Sequence, residues 1–296
     1  MAGYSGSSGS SGSSGNAGNQ GAGWFIADRV DLPFVDEPGV AGQPLAITTY
    51  SQRRWSPAWS ASLLLQTFAA LQWTQNIICP PPDDPNMLGG EIRDLVRAAE
   101  DERADAMGEI IGQSQEFVTE FMAVLGITPN SYPATCRLLY AAEMIGSMVA
   151  MHFKETFNRP RPSHLHPALR PPIPVPGHAS YPSGHSTQAH LMALFVIDAM
   201  PAGLQPRIGE ILTALAGRIA RNREIAGLHY LSDSVCGKTL AARIQSCFRN
   251  AGTISQSAAS FTASATSPST PSVTAVPTRL TRTYQEAIVE ARAEWV

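Results

Sequence analysis

Charge is scarce in this chain of 296 residues: 15% are Asp, Glu, Lys or Arg, and the formal net charge is −3. So sparse a balance provides no broad basic face for nucleic acid or an anionic membrane surface, and any positive site has to be local. Cysteine is scarce as well. Cys79, Cys136, Cys236 and Cys247 lie far apart, without a close CxxC pair or a Cys/His cluster at zinc spacing, so reduced core thiols are expected. Long hydrophobic runs are missing too. The most apolar stretches, around 58–79 and 137–153, are interrupted by Gln66, Gln72, Gln75 and by Glu143, and neither makes a membrane span of about 20 residues. The opening MAGYSGSSGSSGSSGNAGNQGAG lacks the charged start and apolar stretch of a secretory signal. A soluble, cytoplasmic protein is the expectation.

Strand-period alternation is nearly absent, and helical period dominates what is left. With 44% hydrophobic residues the chain can bury one sizeable core. The expected organisation is a flexible Gly/Ser-rich tail over 1–23, one helical domain over 24–250, a Ser/Thr/Pro-rich linker over 251–280 and a short helix over 281–296. Within the domain, SPAWSASLLLQTFAALQWTQNII reads as a core helix opened by a Ser56 cap and Pro57. Residues 90–127 read as one bent helix or two, and 132–158 as a helix running from one Pro mark to another. Three more helices are expected at about 185–200, 204–223 and 229–248. The fold class is therefore an all-α bundle.

Three clusters carry chemistry. In YPSGHSTQAHLMALFV, Pro182 sets a turn, Ser183 suits a helix N-cap and Gly184 lets a ligand approach the backbone. Free N–H groups and the helix dipole there favour an anion, with His185 beside it as proton donor. In KETFNRPRP, Lys154 and Arg161 are seven residues apart, and both can reach one anion or can simply complement a helix C-terminus. In RNREIAGLHYLSD, Asp233 four residues after His229 can hold one ring nitrogen while the other points outward, and Gly227 can break the chain so that Arg223 converges on the same point. A surface His/Asp pair is the plainer reading of that cluster. His164, His166, His178 and His190 could be gathered into a metal site, but they read better as loop histidines. The run LRPPIPVPG over 169–177 reads as a stiff loop at a site entrance or as a polyproline ligand for a partner domain.

Taken together, Lys154 to Arg161-Pro162, Pro182-Ser183-Gly184-His185, and Arg223 to His229 to Asp233 resemble the signature of one superfamily. It unites type 2 phosphatidic acid phosphatases, bacterial class A acid phosphatases and vanadium-dependent haloperoxidases. The resemblance covers roughly residues 130–245, with Asn222 standing where serine is usual before Arg223. It implies an all-α bundle of the acid phosphatase/vanadium haloperoxidase type. Phosphate or vanadate would be held by Lys154, Arg161, Arg223, Ser183 and Gly184. His229, oriented by Asp233, would form a phosphohistidine, and His185 would protonate the leaving alcohol and then activate water. The implied activity is that of a soluble acid-phosphatase-like phosphomonoesterase acting on a small phosphate ester without a cofactor. The alternative is a vanadium haloperoxidase using peroxide and halide, with vanadate as cofactor and His229 as axial vanadium ligand. Short gaps from Arg161 to Ser183 and from Ser183 to Arg223 resemble the compact phosphatases. His178 stands where bromide-oxidising members carry histidine, and is either a group tuning that chemistry or a pocket wall. No nucleic-acid partner is implied. A homo-oligomer is left open, with helix 281–296 docked on a neighbour, and a non-enzymatic helical scaffold is the competing class.

Overall fold

A computed structural model describes residues 55–82, 86, 88–254 and 283–296. The expected tail 1–23 and most of the expected linker 251–280 lie outside them. The described residues form helices and turns without a strand, as the missing alternation predicts. In chain order the helices are α1 (Pro57–Ala69), α2 (Trp73–Asn76), α3 (Leu88–Asp101), α4 (Arg103–Gln115), α5 (Val118–Leu125) and α6 (Pro133–Phe157). There follow α7 (Pro162–Leu165), α8 (Gly184–Ala199), α9 (Gln205–Ile225), α10 (Leu231–Ile254) and α11 (Tyr284–Arg292). No helix among the described residues is long and apolar enough to cross a membrane.

The core is built around α8, which is apolar on nearly every face: Ala189, Leu191, Met192, Ala193, Phe195, Val196 and Ala199 are all buried. A helix without a polar face must be covered on all sides. Here α6, α9, α10 and α11 surround it, and α1 lies outside α6. The apolar residues of these helices meet in one cluster that includes Leu64, Phe68, Leu138, Ile145, Phe195, Leu212, Leu240 and Phe248, joined by Phe121 of α5.

Several expected boundaries shift for local reasons. The first helix does start at Pro57, but the Ser56 side chain makes no cap bond, and the helix stops at Ala69 because Gln72 turns left-handed at φ 50°. Residues 90–127 become three helices instead of one or two, parted at Glu102 and at Glu116–Phe117. The last core helix starts at Leu231, not at 229, and runs to Ile254, into the expected linker.

The C-terminal helix, opened by a capping box between Thr283 and Glu286, buries Tyr284, Ala287, Ile288 and Ala291. It does so against α6 and α8 of its own chain. Glu294 beyond it accepts from the Ala134 and Thr135 N–H groups at 2.7 and 2.8 Å, placing a carboxylate at the open N-terminus of α6.

Two glycines set the position of α10. Gly227, at φ +74°, ends α9 in a Schellman motif, with its own N–H on Glu224 O (2.7 Å) and the Leu228 N–H on Arg223 O (3.0 Å). The chain reverses there, so Arg223 and His229 flank one turn. Gly237 faces the start of α8, where an added Cβ would stand 2.8 Å from both Ser183 O and Ser186 Cβ. Gly237→Ala should therefore push α10 off α8 and cost about 1–3 kcal/mol. Urea unfolding measures this directly, and an unchanged midpoint would show that the contact does not matter.

Candidate functional site

The three clusters meet at the N-terminus of α8. Ser183 is its N-cap: the side chain accepts from Ser186 N at 3.3 Å, and the Ser183 N–H donates to Asp233 O at 3.0 Å. That second bond ties α8 to the first turn of α10. Gly184 and His185 occupy the first turn of α8, where N–H groups have no intrahelical carbonyl to reach. Lys154 comes from the last turn of α6, which ends at Asn158 in the left-handed conformation, at φ 45°. Arg161, held extended between Pro160 and Pro162, precedes the single turn α7. The two cations therefore do not share a helix face. They approach from separate segments.

Each cation is anchored by backbone carbonyls. The Lys154 ammonium donates to Ala179 O and Ser180 O, at 2.8 and 2.7 Å. The Arg161 guanidinium donates to His178 O (3.0 Å) and Leu228 O (2.9 Å), and Arg223 donates to Ile110 O (2.8 Å). Lys154, Arg161 and Arg223 are only 2%, 1% and 1% exposed, and none forms an ion pair among the described residues. The Arg223 Nε has no hydrogen-bond acceptor. Burial, together with the Arg161 charge, pulls the Lys154 ammonium down to about 7, and burial pulls Arg161 and Arg223 down to about 10 each. Three buried cations held by carbonyl dipoles and ring nitrogens, with no ion pair among the described residues, are costly unless an anion joins them. Their fields act together on His185, which burial and then Arg223, Lys154 and Arg161 push down to about 3.

Opposite them stands His229. Its Nδ1 lies 2.9 Å from Asp233 Oδ2, and its Nε2 lies 3.5 Å from Arg161 Nη1. Asp233 also accepts from the Tyr230 N–H at 3.1 Å, from the Ser180 hydroxyl, and from Arg159 Nη1 at 2.7 Å. An ionised carboxylate only accepts, so beside it Nδ1 of His229 carries the ring proton and Nε2 is the unprotonated nitrogen facing Arg161. Burial and the charges of Arg161 and Lys154 hold this imidazole well below its ordinary value, neutral at neutral pH. The residue itself is not on a helix face, as the four-residue spacing suggests. It sits in the turn before α10, and Asp233 reaches back to it and to the Tyr230 N–H in the manner of a capping-box acid.

The His185 ring stacks on Phe117, with centroids 4.9 Å apart, and its Nε2 lies 3.1 Å from Gln113 O. A carbonyl only accepts, so Nε2 carries the proton and Nδ1 is the nitrogen free to titrate. His178 is exposed, with Nδ1 at 3.1 Å from Arg161 Nη2, at the edge of the cluster. The other histidines do not join. His164 is exposed, His166 is half-buried, and His190 is buried on Ser186 O at 2.8 Å. No group of three metal-ligating side chains forms among the described residues. Ile173 and Val175 of the Pro-rich run pack on Ile110, Ile225 and Leu228, making that run a wall beside the site.

Sequence reasoning missed the residues that fix this geometry from behind. Arg159 spans Asp233 and Glu91 and lies over the Tyr230 ring at 4.1 Å, and Glu91 also accepts from the Ser232 N–H at 2.8 Å. Arg159 was visible two residues before Arg161, in NRPRP. Glu91, 68 residues from Arg159, left no local signal. Asn222, in the usual serine position, donates to Glu109 (2.7 Å) and to the Gln113 side chain (3.0 Å), fastening α9 to α4.

The model of the PAP2 superfamily matches residues 136–249, a span that contains all three clusters. Among solved structures, the chain is similar to the first transmembrane PAP2 type phosphatidylglycerolphosphate phosphatase from Bacillus subtilis. The identity is 16%, with 67% of this chain and 97% of that one covered, and the TM-score is 0.44. No curated protein matches.

Because Lys154 loses much of its charge above about pH 7 in the empty site, binding a tetrahedral anion there should draw in a proton. Tungstate, a dianion across this range, should bind more weakly as pH rises above about 7, by up to about tenfold per pH unit. Calorimetry in two buffers of different ionisation heat reads the proton uptake, and a flat profile from pH 7 to 9 would remove Lys154 from the anion shell.

Proposed function

Starting from a PAP2 superfamily match over residues 136–249, we propose that this protein is a phosphate-ester hydrolase acting through a phosphohistidine on His229. The superfamily match supports phosphatase chemistry in general. The observation that carries the finer reading is the position of His229 Nε2, 3.5 Å from the Arg161 guanidinium and beside buried cations that form no ion pair among the described residues.

In this reading the phosphoryl oxygens lie among Lys154, Arg161, Arg223, the Ser183 hydroxyl and the first N–H groups of α8. Arg forks supply directional, charge-assisted hydrogen bonds. His229 Nε2 attacks phosphorus, a P–N bond forms, and the P–O bond to the alcohol breaks. Asp233 stabilises the charge that appears on the ring. His185, protonated once the anion has offset the neighbouring cations, gives its Nδ1 proton to the leaving oxygen. Water then attacks the phosphohistidine, His185 takes its proton, and the P–N bond breaks to release phosphate and restore His229. Positioning and charge stabilisation supply most of the catalysis in phosphoryl transfer, in keeping with three anchored cations. The donors that fit phosphate also fit vanadate, so vanadate should compete with the ester.

The test is hydrolysis of a generic phosphomonoester by metal-stripped protein, beside halide oxidation by peroxide after addition of vanadate. Hydrolysis should proceed without vanadate and fall by about 10³-fold or more in His229→Ala, in line with loss of a nucleophile. Halide oxidation that depends on vanadate and His229, with only feeble hydrolysis, would replace this reading with the peroxidase one. Unchanged hydrolysis in His229→Ala would sink the site itself.

A further inference from the structure

Apart from the cation cluster, the fold joins two cysteines that stand 157 residues apart in the chain: Cys79 Sγ and Cys236 Sγ are 2.9 Å from each other. That is within about 1 Å of the ~2.05 Å of a bonded pair. Both side chains are buried, and Cys136 and Cys247 are free thiols elsewhere in α6 and α10. The segment that carries Cys79 is already held at this place by two other bonds. The Tyr181 hydroxyl donates to Pro80 O at 2.8 Å, and the Arg243 guanidinium of α10 donates to Ile78 O. Tyr181 immediately precedes Pro182 and Ser183, and Cys236 lies three residues beyond Asp233. The two sulfurs therefore sit where residues 77–82 cross the turn of α10 that holds the partner of His229.

We propose that Cys79 and Cys236 are a modification site, oxidised by a hydroperoxide to a cystine that fastens residues 77–82 to α10. Either sulfur can be the donor in this contact, so either can react first. One thiolate attacks one oxygen of hydrogen peroxide, the O–O bond breaks, and a sulfenic acid forms as the first water leaves. The other sulfur then displaces the sulfenic oxygen, which departs as the second water. Two electrons from the two sulfurs reduce one peroxide to two waters, and one S–S bond replaces two S–H bonds. The cross-link closes a long loop that contains the Lys154, Arg161 and Ser183–His185 segments, and long loops gain most from closure. The inference is independent of the hydrolytic reading, since it concerns neither the anion nor His229.

The test uses the full chain, reduced and then exposed to a small excess of hydrogen peroxide, quenched with catalase, denatured, alkylated and digested without reductant. The expected result is a fall from four free thiols to two, with a cross-linked peptide joining Cys79 to Cys236. The oxidised protein should melt higher by about 5 °C or more. That rise should be reversed by dithiothreitol and absent in Cys79→Ser. Retention of all four thiols, a cross-link between other cysteines, or over-oxidation of Cys79 and Cys236 without a cross-link would overturn the proposal. Should the serine variant not fold, the peptide map of the unmutated protein decides alone.

Discussion

The structure depends on an unbalanced charge: Lys154, Arg161 and Arg223 are buried together, and the carboxylate nearest in function, Asp233, is fully engaged with Arg159 and His229. A folded chain keeps such an arrangement only where surrounding structure holds it, because each cation loses its water on burial. Here the hold comes from backbone carbonyls of residues 110, 178–180 and 228, which satisfy N–H donors without neutralising charge. The site remains positive and keeps open valences, among them the orphaned Arg223 Nε. A tetrahedral anion would complete what the protein leaves unfinished.

The rest of the fold serves this constraint. The apolar helix α8 is the axis, and its N-terminus adds N–H groups and a dipole of the same sign as the cations. Close contact at Gly237 lets α10 lie against that end, and the Schellman turn at Gly227 places Arg223 and His229 on either side of one reversal. Behind the histidine, the chain Glu91–Arg159–Asp233 keeps the carboxylate aimed. Burial raises Asp233, and the Arg159 charge beside it limits that rise. In the proposed reaction Arg159 would act as a positioning residue, through Asp233.

Much of this was legible in the sequence, because the relevant signals are local. Pro-Ser-Gly-His followed by an apolar run states a capped helix start, and Gly227 between a polar helix end and His229 states a reversal. The lack of alternation stated the all-α class. What stayed hidden depends on distance along the chain. Glu91 reaches Ser232 and Arg159 across 141 and 68 residues, and Cys79 meets Cys236 across 157. No spacing rule reveals such pairs. The misplaced start of the last core helix has a different cause: the four-residue interval from His229 to Asp233 fits a helix turn, but here it is bridged by an acid reaching back across the helix boundary.

The central claim is that His229 Nε2 becomes bonded to phosphorus during turnover. The most direct measurement is rapid mixing with a labelled phosphomonoester, denaturation in alkali, where phosphohistidine survives, and mapping of the labelled peptide. The account predicts label on His229 at a level that rises within the first turnover and decays with product formation. Label on another side chain, or none while hydrolysis proceeds through the first turnover, would contradict it.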